Sequence, residues 1–289
     1  MFRKNQYFLS PYFPSKNGCE ASGIVEAVGD GVDPDLIGQR MSTVPAFPLN
    51  QYGVYGEVAI IPASALAPFP EQLSFEEGAS IWMQYITAYG ALIHYGHVSK
   101  GDPVLLTAAA SSVGLAAIQI TKAQGGIAIA TTRTANKKDA LIKEGADHVI
   151  VTDEEDIAER VMEITNGLGV KIIFDAIGGP GMLNLARATA KNALIIMYGA
   201  LSPEPTPFPI FEAWAKGAEL KPFKMQGYAL LELTNDPVLF KTATQWVFER
   251  VENGVLTPRI DRTFQLSKIA DAHRYMEAGQ QIGKIVVRV

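Results

Sequence analysis

Between Pro103 and Ala200 the chain carries apolar runs without polar alternation, spaced at regular intervals: PVLLTAA, IAIATT, HVIVT, KIIFDAIG and ALIIMYGA. Segments with helical spacing separate them, at Ser112–Lys122, Lys137–Glu144, Ile157–Ile164 and Met182–Ala190. A strand that is aliphatic on both faces has to be covered on both, so this alternation predicts an α/β, doubly wound parallel sheet with helices on each side. Up to about Pro70 the pattern is different. There SGIVEAVG, GQRMSTV and YGEVAIIPASALAPFP are β-type runs cut by Gly and Pro, which predicts an irregular, mainly β domain. Ser74, followed three residues later by Glu77, marks a helix start and hands over to SFEEGASIWMQYITAYGALIHYG. After Gly199, ALSPEPTPFPIF predicts a proline-stiffened surface loop and AELKPFKMQGYAL an edge strand. Pro237–Asn253 predicts an amphipathic helix, and the last stretch reads strand, helix, strand. These patterns set a mainly β first domain, handing over near Ser74, apart from the alternating strand–helix region that follows.

A length of 289 residues agrees with two cores rather than one. With 48% hydrophobic and 19% charged residues the composition is that of a globular chain. A net charge of −5 with scattered Lys and Arg gives no footprint for nucleic acid. The start, MFRKNQYFLSPYFP, lacks the apolar core of a secretory signal, and polar residues interrupt the longest apolar run, Val104–Ile120. The expectation is a soluble cytoplasmic protein with no membrane partner. Cys19 is the single cysteine, so no internal disulfide forms; its thiol reads either as a small buried hydrophobe or as a reactive group.

VLLTAAASSVGLAAIQ is where chemistry is expected. A strand runs through a small-residue turn into a helix, the layout that binds the phosphates of a dinucleotide. In the usual fingerprint one Gly makes the tight turn, a second admits the pyrophosphate and a third packs helix on strand. Here those roles fall to Ala109, Ser111 and Gly114. The substitutes are small, and the Ser111 and Ser112 hydroxyls add donors beside the helix-start N–H groups. An NAD site places Asp or Glu about twenty residues on. This chain instead ends the next strand with Thr132, Arg133, Lys137 and Lys138, which suit a phosphate on the adenosine ribose and predict NADP(H). A solvated basic turn is the alternative for Lys138.

Taken in order, GCEASGIVEAVGDGVD, YGEVAIIPASALAPFP, ITAYGAL, AAASSVGLAAIQ, EGADHVI, FDAIGGP and GKIVV resemble the medium-chain dehydrogenase/reductase superfamily, in its zinc-free quinone oxidoreductase branch. The resemblance spans nearly the whole chain. It implies a Rossmann nucleotide domain over residues 77–230, a smaller GroES-like catalytic domain formed from both chain ends, residues 1–76 and 231–289, and a homodimer paired through the nucleotide-domain sheet edge. It also implies that Thr87 lies beside the nicotinamide and that Ser111, Ser112, Val113 and Gly114 form the phosphate turn. Arg133 and Lys137 would grip the 2′-phosphate, with Thr152 where relatives often carry Tyr. Ile177 would border the ribose and adenine, and Tyr198, Gly199, Ala200 and Leu201 would line the nicotinamide side. Tyr7 resembles an aromatic at the mouth of the active site.

Two departures stand out. Zinc-dependent relatives have a His before the Glu of the first motif, where this chain has Cys19 before Glu20, and a lone cysteine excludes a four-cysteine zinc lobe. His94 and His97, at i and i+3, supply no third ligand, so no metal is expected. Relatives also begin with a further strand-rich segment that this chain does not match, which predicts exposed strand edges. The expected activity is hydride transfer from NADPH to a quinone or α,β-unsaturated carbonyl without metal. The proton would come from water or from Tyr7, Tyr55 or Tyr85, and Tyr55 and Tyr85 read equally as packing residues. The alternatives are a shortened NADPH-binding paralogue with a non-enzymatic role and a zinc-free alcohol dehydrogenase-like oxidoreductase.

Overall fold

Glycine and proline cut the β-type runs of the first part of the chain into short pieces. The computed structural model, which describes residues 17–214 and 220–289, pairs three of these pieces antiparallel: β1 (Ser22–Ile24), β2 (Arg40–Thr43) and β3 (Leu66–Pro68). The longest expected run, YGEVAIIPASALAPFP, supplies only the residues of β3. Its Glu57–Ile61 stretch joins no ladder among the described residues, and Val58 and Ile60 are 70% and 75% exposed. Apolar alternation is not sufficient for a strand, because a neighbour must take its N–H and C=O groups. The predicted cap at Ser74 is present as a full capping box on α1 (Phe75–Gly78). The expected helical run then breaks and resumes as α2 (Trp82–Tyr89), continuing as a wide turn through Gly90–Tyr95 in which the Gly96 N–H reaches back to the Ala91 carbonyl at 2.9 Å.

From here strand and helix alternate: β4 (Pro103–Leu106), α3 (Ser112–Ala123), β5 (Ile127–Thr132), α4 (Lys138–Lys143), β6 (His148–Val151), α5 (Ile157–Ile164), β7 (Val170–Asp175), α6 (Met182–Arg187), β8 (Thr189–Met197), α7 (Ile210–Trp214) and β9 (Phe223–Gly227). The six strands form one parallel sheet in the order β6-β5-β4-β7-β8-β9. The side chains of β4 to β7 are mostly buried on both faces, and Leu105, Ile129, Ile150, Ile173 and Ile195 centre one apolar cluster with Val161, Met182 and Leu185. α6 stops at Arg187, short of the expected Ala190, because β8 begins at Thr189 opposite Val170. Pairing with β7 claims residues that local helical spacing had assigned to the helix. β9 is the predicted edge strand.

The chain then forms α8 (Leu231–Thr234), α9 (Pro237–Glu252), β10 (Ile260–Gln265), α10 (Ile269–Glu277) and β11 (Lys284–Arg288), with β10 and β11 parallel. Asp236 caps α9 by accepting from the N–H groups of Val238 and Leu239. Two units result: the chain up to Met83 with Leu233–Val289, and Gln84–Glu232. Within the first, Lys284 is 2.8 Å from the Glu20 carboxylate, with only 13% and 21% of the two side chains exposed. Arg288 bonds Glu76, and the Gln72 amide donates to the Glu252 carbonyl at 3.1 Å. Among the described residues no helix is long and apolar enough to cross a membrane.

Candidate functional site

In the Gln84–Glu232 unit the chain leaves β4 at the middle of the sheet, builds outward to β6, and returns to β7 on β4's other side. The turns after β4 and β7 therefore diverge and leave a crevice at the strand ends, where open α/β sheets bind ligands. Ser111 is the N-cap of α3: its backbone is extended and its Oγ accepts the Gly114 N–H at 3.1 Å. The N–H groups of Ser112 and Val113 in the first turn have no carbonyl inside the helix to bond, which makes this end of α3 receptive to an anion. Gly114 packs so tightly that a Cβ there would lie 2.5 Å from the Ala109 carbonyl oxygen. The packing glycine of the fingerprint is thus where the sequence placed it. The tight turn is one residue earlier than expected, at Ala108, whose φ of 47° is left-handed. Ala109 instead lies fully buried beneath Gly114.

Sequence reasoning did not single out the network that joins the two strand ends. Thr107 Oγ1 donates to Asp175 Oδ1 at 2.6 Å and accepts the Ala176 N–H at 3.0 Å. Asp175 Oδ1 and Oδ2 accept the N–H groups of Ile177 and Gly178 at 3.2 and 2.7 Å. Both side chains are buried. The Asp of FDAIGG was visible as a strand-end acid, but nothing in the chain pattern pairs it with a Thr 68 residues away. The same turn meets the end of β8: Leu201 N–H bonds the Ala176 carbonyl at 3.1 Å and Ser202 N–H the Ile177 carbonyl at 2.9 Å. A Cβ at Gly199 would be 2.7 Å from the Ala176 oxygen, so only Gly fits this crossing. Ile177, Ala200 and Leu201 are exposed at this rim, and Tyr198 stacks on Phe174 at 3.9 Å.

On the side of β4 away from β7, β5 ends in Thr132, and Arg133 follows, exposed to solvent. The Thr152 N–H bonds the Thr132 carbonyl at 2.9 Å and the Asp153 N–H the Arg133 carbonyl at 3.1 Å, which sets the ends of β5 and β6 side by side. Lys137 closes a single turn before α4, which Lys138 opens. Arg133 and Lys138 have no carboxylate partner among the described residues. The structure thus brings Ser111–Gly114, Thr132, Arg133, Lys137, Thr152, Ile177 and Tyr198–Leu201 to the C-terminal ends of the parallel strands. Thr87 is buried on α2.

The tyrosines separate. Tyr85 is buried, and its hydroxyl donates to Gln119 Oε1 of α3 at 2.8 Å, which favours the packing role of the two read from sequence. Tyr55, in the other unit, is half-exposed with its ring 5.9 Å from that of His273. Tyr7 lies outside the described residues. Burial, with Glu20 beside it, pushes the Cys19 thiol up to about 12, which makes it a small hydrophobe rather than a nucleophile. His97 sits in a left-handed turn (φ 45°) after the wide helical stretch, so it shares no regular helical face with His94.

Comparison with known proteins adds the following. A family model described as zinc-binding dehydrogenase matches residues 144–287. The chain is 30% identical over 301 residues to a synaptic vesicle membrane protein VAT-1 homolog of Danio rerio, covering 99% of this chain and 60% of that protein. It thus spans well under two thirds of that relative's length. It is 30% identical over 273 residues to a 2-haloacrylate reductase of Burkholderia sp, covering 93% of this chain and 80% of the relative. Among solved structures, the Escherichia coli quinone oxidoreductase complexed with NADPH aligns with a TM-score of 0.85 at 28% identity, over 97% of this chain and 85% of that one. The residues do not fit a zinc ion of the kind the family description names, since no group of three or more His, Cys, Asp or Glu among the described residues could hold one.

Proposed function

The chain belongs to the medium-chain dehydrogenase/reductase superfamily, and on that footing we propose that it is a metal-independent, NADPH-dependent reductase of quinones or α,β-unsaturated carbonyls. The observation that carries the coenzyme is the row of strand ends, where the capped N-terminus of α3 follows β4 and Arg133 follows the neighbouring β5. Both halves fit a phosphorylated dinucleotide. The pyrophosphate takes the Ser112 and Val113 N–H groups and the Ser111 hydroxyl, while Thr132, Arg133, Lys137 and Thr152 receive the 2′-phosphate. Ile177 and Gly199–Leu201 border the ribose and nicotinamide, with Thr87 on α2. NADPH supplies the hydride. The protein's part is to orient that coenzyme, keep water out and hold a proton source for the reduced acceptor. A conjugated acceptor spreads the incoming negative charge, which suits a site built without a Lewis acid. The proton comes from solvent or a tyrosine hydroxyl, the Tyr85 hydroxyl being already bound to Gln119.

We further propose a homodimer formed along the open edge of β9. Phe208, Phe211 and Trp214, just before that strand, are all more than half exposed, a size of apolar surface that a monomer seldom leaves in water. Sedimentation tests this, and a stable monomer at micromolar concentration removes it. A cytoplasmic location belongs to the same proposal, as a reductase of this kind draws on the cell's reduced coenzyme, and fractionation of the native source tests it. The activity is tested by following NADPH oxidation with a benzoquinone and with an enone, beside NADPH binding by fluorescence. Turnover with NADPH preferred over NADH is expected. Binding without turnover would select the non-enzymatic reading, and absence of binding would overturn the proposal.

A further inference from the structure

Tyr198 follows β8, two strands away from the phosphate turn, yet its side chain reaches back toward that turn. The ring lies flat on Phe174 of β7, 22° from parallel, and its hydroxyl comes beside Ser111. The hydroxyl oxygen is buried and has no hydrogen-bond partner among the described residues. A buried donor without an acceptor is costly and calls for an explanation. The backbone cannot swing away to relieve it. Tyr198 N–H is held by the Asp175 carbonyl at 2.9 Å, and Gly199 is pressed against Ala176. Burial and the Asp175 carboxylate both push the phenol above its ordinary value, so it remains a donor throughout the physiological range. Ser111 Oγ already accepts one hydrogen bond, from Gly114 N–H, and its remaining lone pair and proton lie beside the Tyr198 hydroxyl.

We propose that Tyr198 is a positioning residue for the phosphate turn. When a bridging phosphate seats on the first turn of α3, the Ser111 hydroxyl turns its proton onto a phosphate oxygen and accepts the Tyr198 hydroxyl on its free lone pair. The Tyr198–Ser111–phosphate chain then satisfies the buried donor, and each bond polarises the next. Binding energy is thereby gained from a group that never touches the ligand. This rests on the coenzyme reading given above, which concerns Ser111 but assigns Tyr198 only to the nicotinamide side.

Calorimetry on the full-length chain tests it with Tyr198→Phe, which keeps the ring and its stacking. The variant should bind NADPH about three- to tenfold more weakly, the range of one hydrogen bond. Binding of 2′-AMP, which has the 2′-phosphate but no bridging phosphate, should be unchanged. The unfolding midpoint of the ligand-free protein should not fall, whereas a purely structural role would lower it. In a Ser111→Ala background the effect of Tyr198→Phe should vanish; Ser111→Gly, which costs a helix cap only a few tenths of a kcal/mol, serves if the alanine variant does not fold. Equal NADPH affinity in Tyr198→Phe, an equal loss for 2′-AMP, or an undiminished loss without the Ser111 hydroxyl overturns the inference alone. Failure of the unsubstituted protein to bind NADPH overturns the coenzyme assignment and this inference with it.

Discussion

The two units solve the problem of burying backbone in opposite ways. In the Gln84–Glu232 unit each strand of the sheet except the edges finds both partners within about seventy residues, and most neighbours are consecutive in the chain. In the other unit the described residues form sheets of three and two strands, and the contacts that hold them join distant parts of the chain, as Glu20–Lys284 and Glu76–Arg288 do. The first unit's order comes from repetition of one local motif, whereas the second's comes from a few long-range polar locks. The difference teaches where each is fragile: the sheet unit at points of close backbone approach, the split unit at its ion pairs.

Gly114→Ala should have the largest effect, because the new Cβ meets main chain rather than a movable side chain. A loss of about 3 kcal/mol is expected from the denaturant midpoint, together with loss of NADPH binding. A neutral result would mean that helix and strand can separate at the phosphate turn, and the sheet unit would not be the rigid partner in the comparison. Glu20→Ala leaves the largely buried Lys284 ammonium without its carboxylate and should cost about 2 kcal/mol. NADPH affinity, read by calorimetry at a temperature where the variant is folded, should not change; if it falls in step with stability, the two units are not separable. Arg133→Ala should leave stability alone and weaken NADPH about tenfold, ~1.4 kcal/mol, with NADH unaffected. Equal weakening of both coenzymes would remove Arg133 from the 2′-phosphate.

The smallest effect concerns Cys19. Its folded-state thiol is raised from 9.0 to about 12, so the stability it contributes is complete below pH 9 and is lost as pH rises from 9.0 toward about 12. Between pH 8 and 10 the unfolding free energy should fall more for the unsubstituted chain than for Cys19→Ala, by up to about 1.4 kcal/mol. The same shift keeps Cys19 slow toward iodoacetamide at pH 8. Fast alkylation of the native protein there would show that the first unit is looser at this point than the structure has it.

The parallel sheet was legible because its information is local: unalternating aliphatic runs, helices at regular spacing, and a small-residue turn with Gly114 where packing demands it. The split unit was less legible for the same reason in reverse. VAII around Val58 and Ile60 has the composition of a strand, yet no ladder forms there, because pairing depends on a neighbour that sequence spacing does not specify. At the strand ends the cationic residues and the small-residue turn were readable by type. The left-handed backbone at Ala108 was not, since nothing marks an alanine for φ of 47°, nor was the Thr107–Asp175 bond, whose partners are brought together by the order of β4 and β7 alone.

The Glu20–Lys284 pair has a consequence for the chain as it is made. Its partners are 264 residues apart, so Lys284 leaves the ribosome long after Glu20. The nucleotide-type unit, contiguous from Gln84 to Glu232, is complete well before that and is free to fold during synthesis. The unit that contains Glu20 stays open until Lys284 has been made, its carboxylate waiting for that ammonium. A ribosome stalled between Glu232 and Lys284 would hold out a finished sheet beside an unclosed shell, and it is that shell which chaperones would meet.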